Sequence, residues 1–214
     1  MKNARSRNVL SLLCNLALAA LVAYAMSWFY TDIGRGNMAV GGNACYRFFT
    51  VDSNILAALC GLVLIPFNIK GIAAGEDRIP KWALTLKYIG TVAVSLTLIV
   101  VVVFLGPTQG YALMFDGNCL YLHLINPLLA MVSFCCFETA VPLTKKQMLL
   151  GLIPTFVYGT VYLFVVWLFP IWPDFYGFTR GGLWYVSYIA MHVATLIICL
   201  AERAVHNAFC KVKA

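Results

Sequence analysis

Charge is what this sequence has least of. Only 11% of its 214 residues are Asp, Glu, Lys or Arg, where a soluble domain carries nearer a quarter. No Asn-x-Ser/Thr acceptor site occurs anywhere in the chain. The Gly-rich segment from Gly34 to Gly42 lacks phosphate-loop spacing and follows no strand, so it reads as a flexible linker. No His or Cys lies three or four residues beyond His123, which removes the usual helical spacing of a metal site. No metal or cofactor is expected.

What the chain has is long apolar runs. Hydrophobic residues make up 62% of it. Six stretches, at 9–30, 46–68, 82–106, 119–138, 147–170 and 183–205, each approach or exceed the ~20 residues needed to cross a bilayer. The expected fold is all-α, a polytopic membrane protein with six transmembrane helices in one domain, residues 1–214. Little is left over for a soluble domain. Pro127 and Pro154 fall inside spans and predict kinks in helices four and five.

The net charge of +7 does not indicate nucleic acid as a partner, because the basic residues flank apolar runs rather than forming a patch. Lys70, Arg78, Lys81 and Lys87 flank the second connection, Lys145 and Lys146 the fourth, and Arg203, Lys211 and Lys213 follow the last helix. The third connection, Pro107 to Asn118, has no Lys or Arg, the first has Arg35, with Arg47 just inside the next helix, and the fifth has Arg180. With the N-terminus inside, 12 of the 15 basic residues are cytoplasmic. The positive-inside rule therefore predicts that both termini are cytoplasmic, in the plasma membrane if the chain is prokaryotic. Lys2, Arg5 and Arg7 followed by Ala23-Tyr24-Ala25 resemble a cleavable signal, but the run is long for one and ends in Trp28-Phe29-Tyr30. A retained first helix is expected.

Polar residues inside spans are costly, so each one is a candidate. At 100° per residue, Arg47, Thr50 and Asn54 share one face of helix two, and Asp52 points away. That face reads either as helix-packing glue or as part of a reaction site. His123 in helix four is the best single candidate for a base or proton carrier; the competing reading is a neutral histidine bonded between helices. Asn126 is placed to satisfy carbonyls freed by Pro127. Tyr185, Tyr188 and His192 align on helix six, where bundle packing competes with a role beside His123. His206 reads as solvated, and Glu138 as a partner for Lys145 or Lys146. Cys45 and Cys119 sit at the outer ends of helices two and four. A disulfide there, if that face is oxidising, would hold Thr50 and His123 at similar depth, although Cys45 and Thr50 are ~140° apart on one continuous helix.

A six-span protein with Phe49-Thr50 opening helix two and His123 near the start of helix four resembles the androgen-induced protein family. The runs Phe48-Phe49-Thr50-x-x-Ser53-Asn54 and His123-x-x-x-Pro127 look most like its small prokaryotic relatives. Asp174-Phe175-Tyr176 after Trp172-Pro173 adds an aromatic, Pro-containing loop before the final span. The resemblance implies an intramembrane lipid-ester hydrolase in which Thr50 is the nucleophile and His123 its base. The substrate would be a lipid or another acyl-chain ester entering from the bilayer. Arg47, Asn54 and Asn126 are then candidates to bind substrate or its oxyanion, and Tyr188 or His192 to orient His123. Two further classes stay open. A polar intramembrane path of Thr50, Asn54, His123 and Asn126 fits a small-solute or ion transporter or channel, and a non-catalytic lipid-binding protein needs no reacting group at all.

Overall fold

The computed structural model describes residues 4–31 and 40–211, apart from the side chains of Arg180 and Lys211. Lys2, Arg35, Lys213 and most of the Gly-rich segment lie outside the described residues. Among those described the chain is all-helical, with six helices long and apolar enough to cross a membrane: α1 (Ala4–Ser27), α2 (Phe49–Ala74), α3 (Lys81–Gln109), α4 (Asn118–Phe137), α5 (Lys145–Leu168) and α6 (Trp184–Cys210). All six expected spans are present.

α3 is the most buried of the six. It touches α2, α4, α5 and α6, while α1 lies along α2 and α4. The main core surrounds it, with Leu84, Tyr88, Val92 and Leu96 packed against Leu64, Phe134, Leu143 and Cys199. Close approach of α2 and α3 depends on Gly90, where an added Cβ would stand 3.0 Å from the Ala57 Cα. Close packing of these side chains holds the helices together, while α5 and α6 keep their outer faces apolar and exposed, as at Phe156, Val161, Ile189 and Ile197.

The loops at 75–80 and 138–144 share one end of the bundle, here the basal end; residues 28–31 and 40–48 and the loops at 110–117 and 169–183 share the other, the apical end. Several helix limits move outward from the apolar runs because polar residues at the basal end are paired. α1 begins at Ala4 because Arg7 is buried and ion-paired with Asp77, with Asn8 beside it. α2 runs on to Ala74 and stops at Gly75, whose φ of 73° closes the helix in the left-handed conformation. It also carries Pro66 in its interior, a third intraspan proline.

Three basal residues stand differently from the sequence expectation. Lys87 is 1% exposed, six residues into α3, rather than flanking a loop. Its ammonium donates to Asn15 Oδ1 at 2.6 Å and lies 4.0 Å from Glu138 Oε1. Glu138 therefore faces Lys87, not Lys145 or Lys146, and its Oε1 also accepts from Ser11, Asn15 and Ser133 at 2.8–3.0 Å. A carboxylate taken out of water needs such donors. His206 is fully buried rather than solvated, stacked on Phe134 at 4.5 Å with its ring nitrogens 3.2 and 3.0 Å from the Phe134 and Val141 carbonyl oxygens.

α4 explains how its proline is accommodated. Tyr121–Ile125 forms a π-turn, with the Asn126 N–H donating to the Tyr121 carbonyl. In that register Pro127 would have bonded the Leu122 carbonyl, and it has no N–H to give. Asn54 of α2 takes its place, donating Nδ2 to Leu122 O at 2.9 Å. Asn126, expected to serve the freed carbonyls, instead donates to Asn54 Oδ1 at 3.0 Å.

Candidate functional site

Thr50 lies in the first turn of α2, whose leading amides lack intrahelical partners. One partner comes from the 169–183 loop: the Phe49 N–H donates to the Tyr176 hydroxyl at 3.1 Å. Thr50 and Tyr158 adjoin that hydroxyl, and the Tyr158 hydroxyl donates to the Arg47 carbonyl at 2.6 Å. Burial pushes the Tyr176 hydroxyl up to about 12, so it stays un-ionised at ordinary pH.

The loop carrying Tyr176 is organised by Asp174. Its Oδ1 accepts from the Tyr162 hydroxyl at 3.0 Å and the Phe178 N–H at 2.8 Å, and its Oδ2 from the Thr179 N–H and hydroxyl, both at 2.7 Å. Burial alone would raise the Asp174 carboxyl. The bonds from Thr179, Phe178 and Tyr162 outweigh it and hold the group below the usual carboxylate range. The Tyr176 N–H donates back to the Tyr162 hydroxyl at 3.2 Å, fixing the turn.

Thr50 opens onto a cavity of about 360 Å³ between the apical halves of α3, α5 and α6. Basally, α3 and α6 are tied by Tyr88 to the Cys199 carbonyl and by Ser95 to Glu202. Above those ties they diverge. The walls are almost entirely apolar, with Thr50, Tyr158, Tyr176, Tyr188 and His192 as the main polar members. Ile99, Val103 and Phe104 on its rim are 41–69% exposed, so the cavity opens sideways along the apolar surface of the bundle.

His123 is buried in the π-turn of α4, outside the cavity walls. Its Nδ1 lies 2.7 Å from the Met114 carbonyl oxygen, which can only accept, so Nδ1 carries the proton and Nε2 the lone pair. Nε2 has no hydrogen-bond partner, so no bond joins His123 to Thr50. The two backbones are nonetheless neighbours: Asn54 Nδ2 donates both to Thr50 O at 2.7 Å and to Leu122 O. His192 repeats the arrangement, with Nδ1 2.8 Å from the Tyr188 carbonyl and Nε2 unpartnered, and it does share the cavity with Thr50.

The proposed binding residues divide. Tyr188 lines the cavity with its hydroxyl 3.0 Å from Thr160 Oγ1. Asn54 and Asn126 are consumed by the α2–α4 junction, and neither lines the cavity, so neither is placed to receive an oxyanion. Arg47 is exposed at the apical end with its guanidinium over Trp172, again away from the cavity. Among the described residues no hydrogen bond joins Tyr188 or His192 to His123, which bonds the Met114 carbonyl. Tyr176 and Tyr158 are the polar groups beside Thr50 that the sequence did not single out. The Asp174-Phe175-Tyr176 run was visible, but nothing in it showed that Tyr176 reaches the start of α2.

The Cys45–Cys119 disulfide that an oxidising face would allow is not formed: both residues are buried thiols. Cys45 sits in a 3₁₀ turn, Gly42–Arg47, that precedes α2, packed with Ala25, Phe29, Val51 and Leu122. Its descent to Thr50 is therefore not along one helix. Burial raises the Cys45 thiol. Among the described residues no three His, Cys, Asp or Glu side chains converge as a metal site. No family model, curated protein or solved structure matches this chain.

Proposed function

We propose that the protein is a multi-pass membrane enzyme that hydrolyses lipid esters, with Thr50 as nucleophile. One observation carries the reading: a buried threonine lines an apolar, laterally open cavity beside an un-ionised tyrosine hydroxyl. An acyl chain entering from the bilayer would fill the cavity and bring its ester to Thr50. Both termini are assigned to the cytoplasm, because the basal end carries Lys70, Arg78, Lys81, Lys145, Lys146 and Arg203.

Thr50 Oγ1 attacks the ester carbonyl carbon as its proton passes to a histidine Nε2. The tetrahedral oxyanion accepts a hydrogen bond from Tyr176 or Tyr188. Collapse breaks the C–O bond to the alcohol, which leaves with the proton from the histidine. Water then attacks the acyl-threonine, gives its own proton to the same histidine, and releases the carboxylic acid as that proton returns to Thr50. His123 is the base implied by the family resemblance, and its fixed tautomer and vacant Nε2 support that role. His192 is the second choice, favoured by its place on the cavity wall.

Fluorophosphonate labelling of the folded membrane protein tests this. Wild type and Thr50→Ser should label, and Thr50→Ala should not. Loss in His123→Ala or in His192→Ala identifies the base. Labelling that survives Thr50→Ala, or none in wild type, overturns the hydrolase in favour of a lipid-binding protein, a reading that the missing Thr50–His123 bond favours.

A further inference from the structure

Asp52 is the one acidic side chain in the apical half of α2, and the Thr50 chemistry does not use it. Among the described residues no hydrogen bond or ion pair engages its side chain, although it is half-buried. It faces a second pocket of about 320 Å³ between α2 and α5, on the opposite side of Phe49 and Tyr158 from the Thr50 cavity. Those two rings pack at 5.1 Å and line both spaces. Tyr46 and Trp172 complete an aromatic surround. A carboxylate walled by aromatic rings matches a cation with apolar flanks, because ring faces attract cationic charge and the carboxylate supplies the counter-charge.

Arg47 identifies which cation. Its guanidinium carbon lies 5.9 Å from the Trp172 ring centroid, and it forms no ion pair with Asp52. One indole thus has a free positive group over its ring and a free negative group in the pocket it lines. Val157 and Val161 on the pocket wall are 54% and 47% exposed, so the pocket opens sideways on the apolar surface. Asp52 lies within the first turn of α2, at the level of the apical aromatic residues Tyr46 and Trp172, where headgroups meet hydrocarbon. We infer that this pocket binds a zwitterionic phospholipid, with its ammonium at Asp52 among Tyr46, Tyr158 and Trp172 and its phosphate at Arg47. An anionic lipid without an ammonium would leave Asp52 unmatched. The inference rests on the bundle lying in a bilayer, and is independent of whether Thr50 is a nucleophile.

Native mass spectrometry of the full protein in mild detergent, titrated with equimolar phosphatidylcholine, phosphatidylethanolamine and phosphatidylglycerol, tests it. Wild type should retain the ammonium-bearing lipids about tenfold over phosphatidylglycerol. Asp52→Asn, which removes a charge that holds no protein partner, and Trp172→Leu should each lose the preference, while Thr50→Ala keeps it. No preference in wild type, a preference that survives Asp52→Asn or Trp172→Leu, or one lost in Thr50→Ala overturns the assignment. Displacement of the lipid by millimolar soluble phosphocholine also overturns it, by showing that a free headgroup is the ligand.

Discussion

Asn54 donates to the Leu122 carbonyl that Pro127, for want of an N–H, leaves open. One amide on α2 thereby repairs α4 and ties the two helices carrying Thr50 and His123. The same nitrogen holds the Thr50 carbonyl, and Asn126 donates to the Asn54 oxygen. Asn54→Leu leaves two carbonyls and the Asn126 amide without this partner in a buried site. It should destabilise the protein by about 1–3 kcal/mol. Because Asn126 acts through Asn54, adding Asn126→Leu should cost much less than the sum of the single changes. Thermal unfolding of the four proteins in one detergent measures both; additive losses would separate the two residues.

The buried Lys87–Glu138 pair predicts an asymmetry. Lys87→Met strands a carboxylate that is 1% exposed among Ser11, Asn15 and Ser133, at a cost of about 3–5 kcal/mol. The double variant Lys87→Met/Glu138→Gln removes both charges and should recover most of that loss. If the double variant is as unstable as Lys87→Met, the pair is not what the network balances. Accessibility of Cys14, on α1 near the network, offers a second readout: maleimide labelling should rise in the single variant and fall back in the double.

The six spans were legible because a bilayer-crossing helix advertises itself over twenty residues, and each apolar run became a helix. The chemistry of single polar residues was less so. Thr50 and His192 were found because a polar residue in an apolar run stands out. Lys87 was misplaced because a cation six residues from a helix end looks like one reaching for the surface, and its partners inside, Asn15 and Glu138, are 72 and 51 positions away. Tyr176 was missed because the partner it serves, the Phe49 amide, is 127 residues distant and aromatic residues are common in such loops. Of the two readings of the Asn54 face, helix packing or reaction site, the bond across to α4 matches the first. The acceptor, a carbonyl freed by a proline in a π-turn, depends on a helical register that the sequence does not display.

The cysteines carry a chemical prediction. Cys45 and Cys119 are both buried, and burial keeps the Cys45 thiol protonated at neutral pH. Iodoacetamide on the folded protein should leave both unmodified over a period in which denatured protein is fully alkylated. Non-reducing peptide mapping should recover the two as separate peptides. A linked peptide would mean that the apical face is oxidising and brings the two thiols together.

Acid should loosen the loop that positions Tyr176, and Asp174 sets where. Its folded-state carboxyl is depressed by the hydrogen bonds from Thr179, Phe178 and Tyr162. A depressed carboxyl stabilises the fold fully above its unfolded value of about 3.9, and that contribution is lost as pH falls through the lower, folded value. Between neutral pH and about 5 the loop should therefore hold, and below about pH 4 it should open progressively. Hydrogen exchange at the Phe178 and Thr179 amides, corrected for intrinsic pH dependence, reports this directly, since both donate to Asp174. Asp174→Asn should show faster exchange at neutral pH and no added acid step. Because the same loop brings Tyr176 to Thr50, any fluorophosphonate labelling of wild type should fall over the same acid range. It should already be reduced in Asp174→Asn at pH 7. A loop that opens in acid equally in both proteins would shift the control from Asp174 to another group.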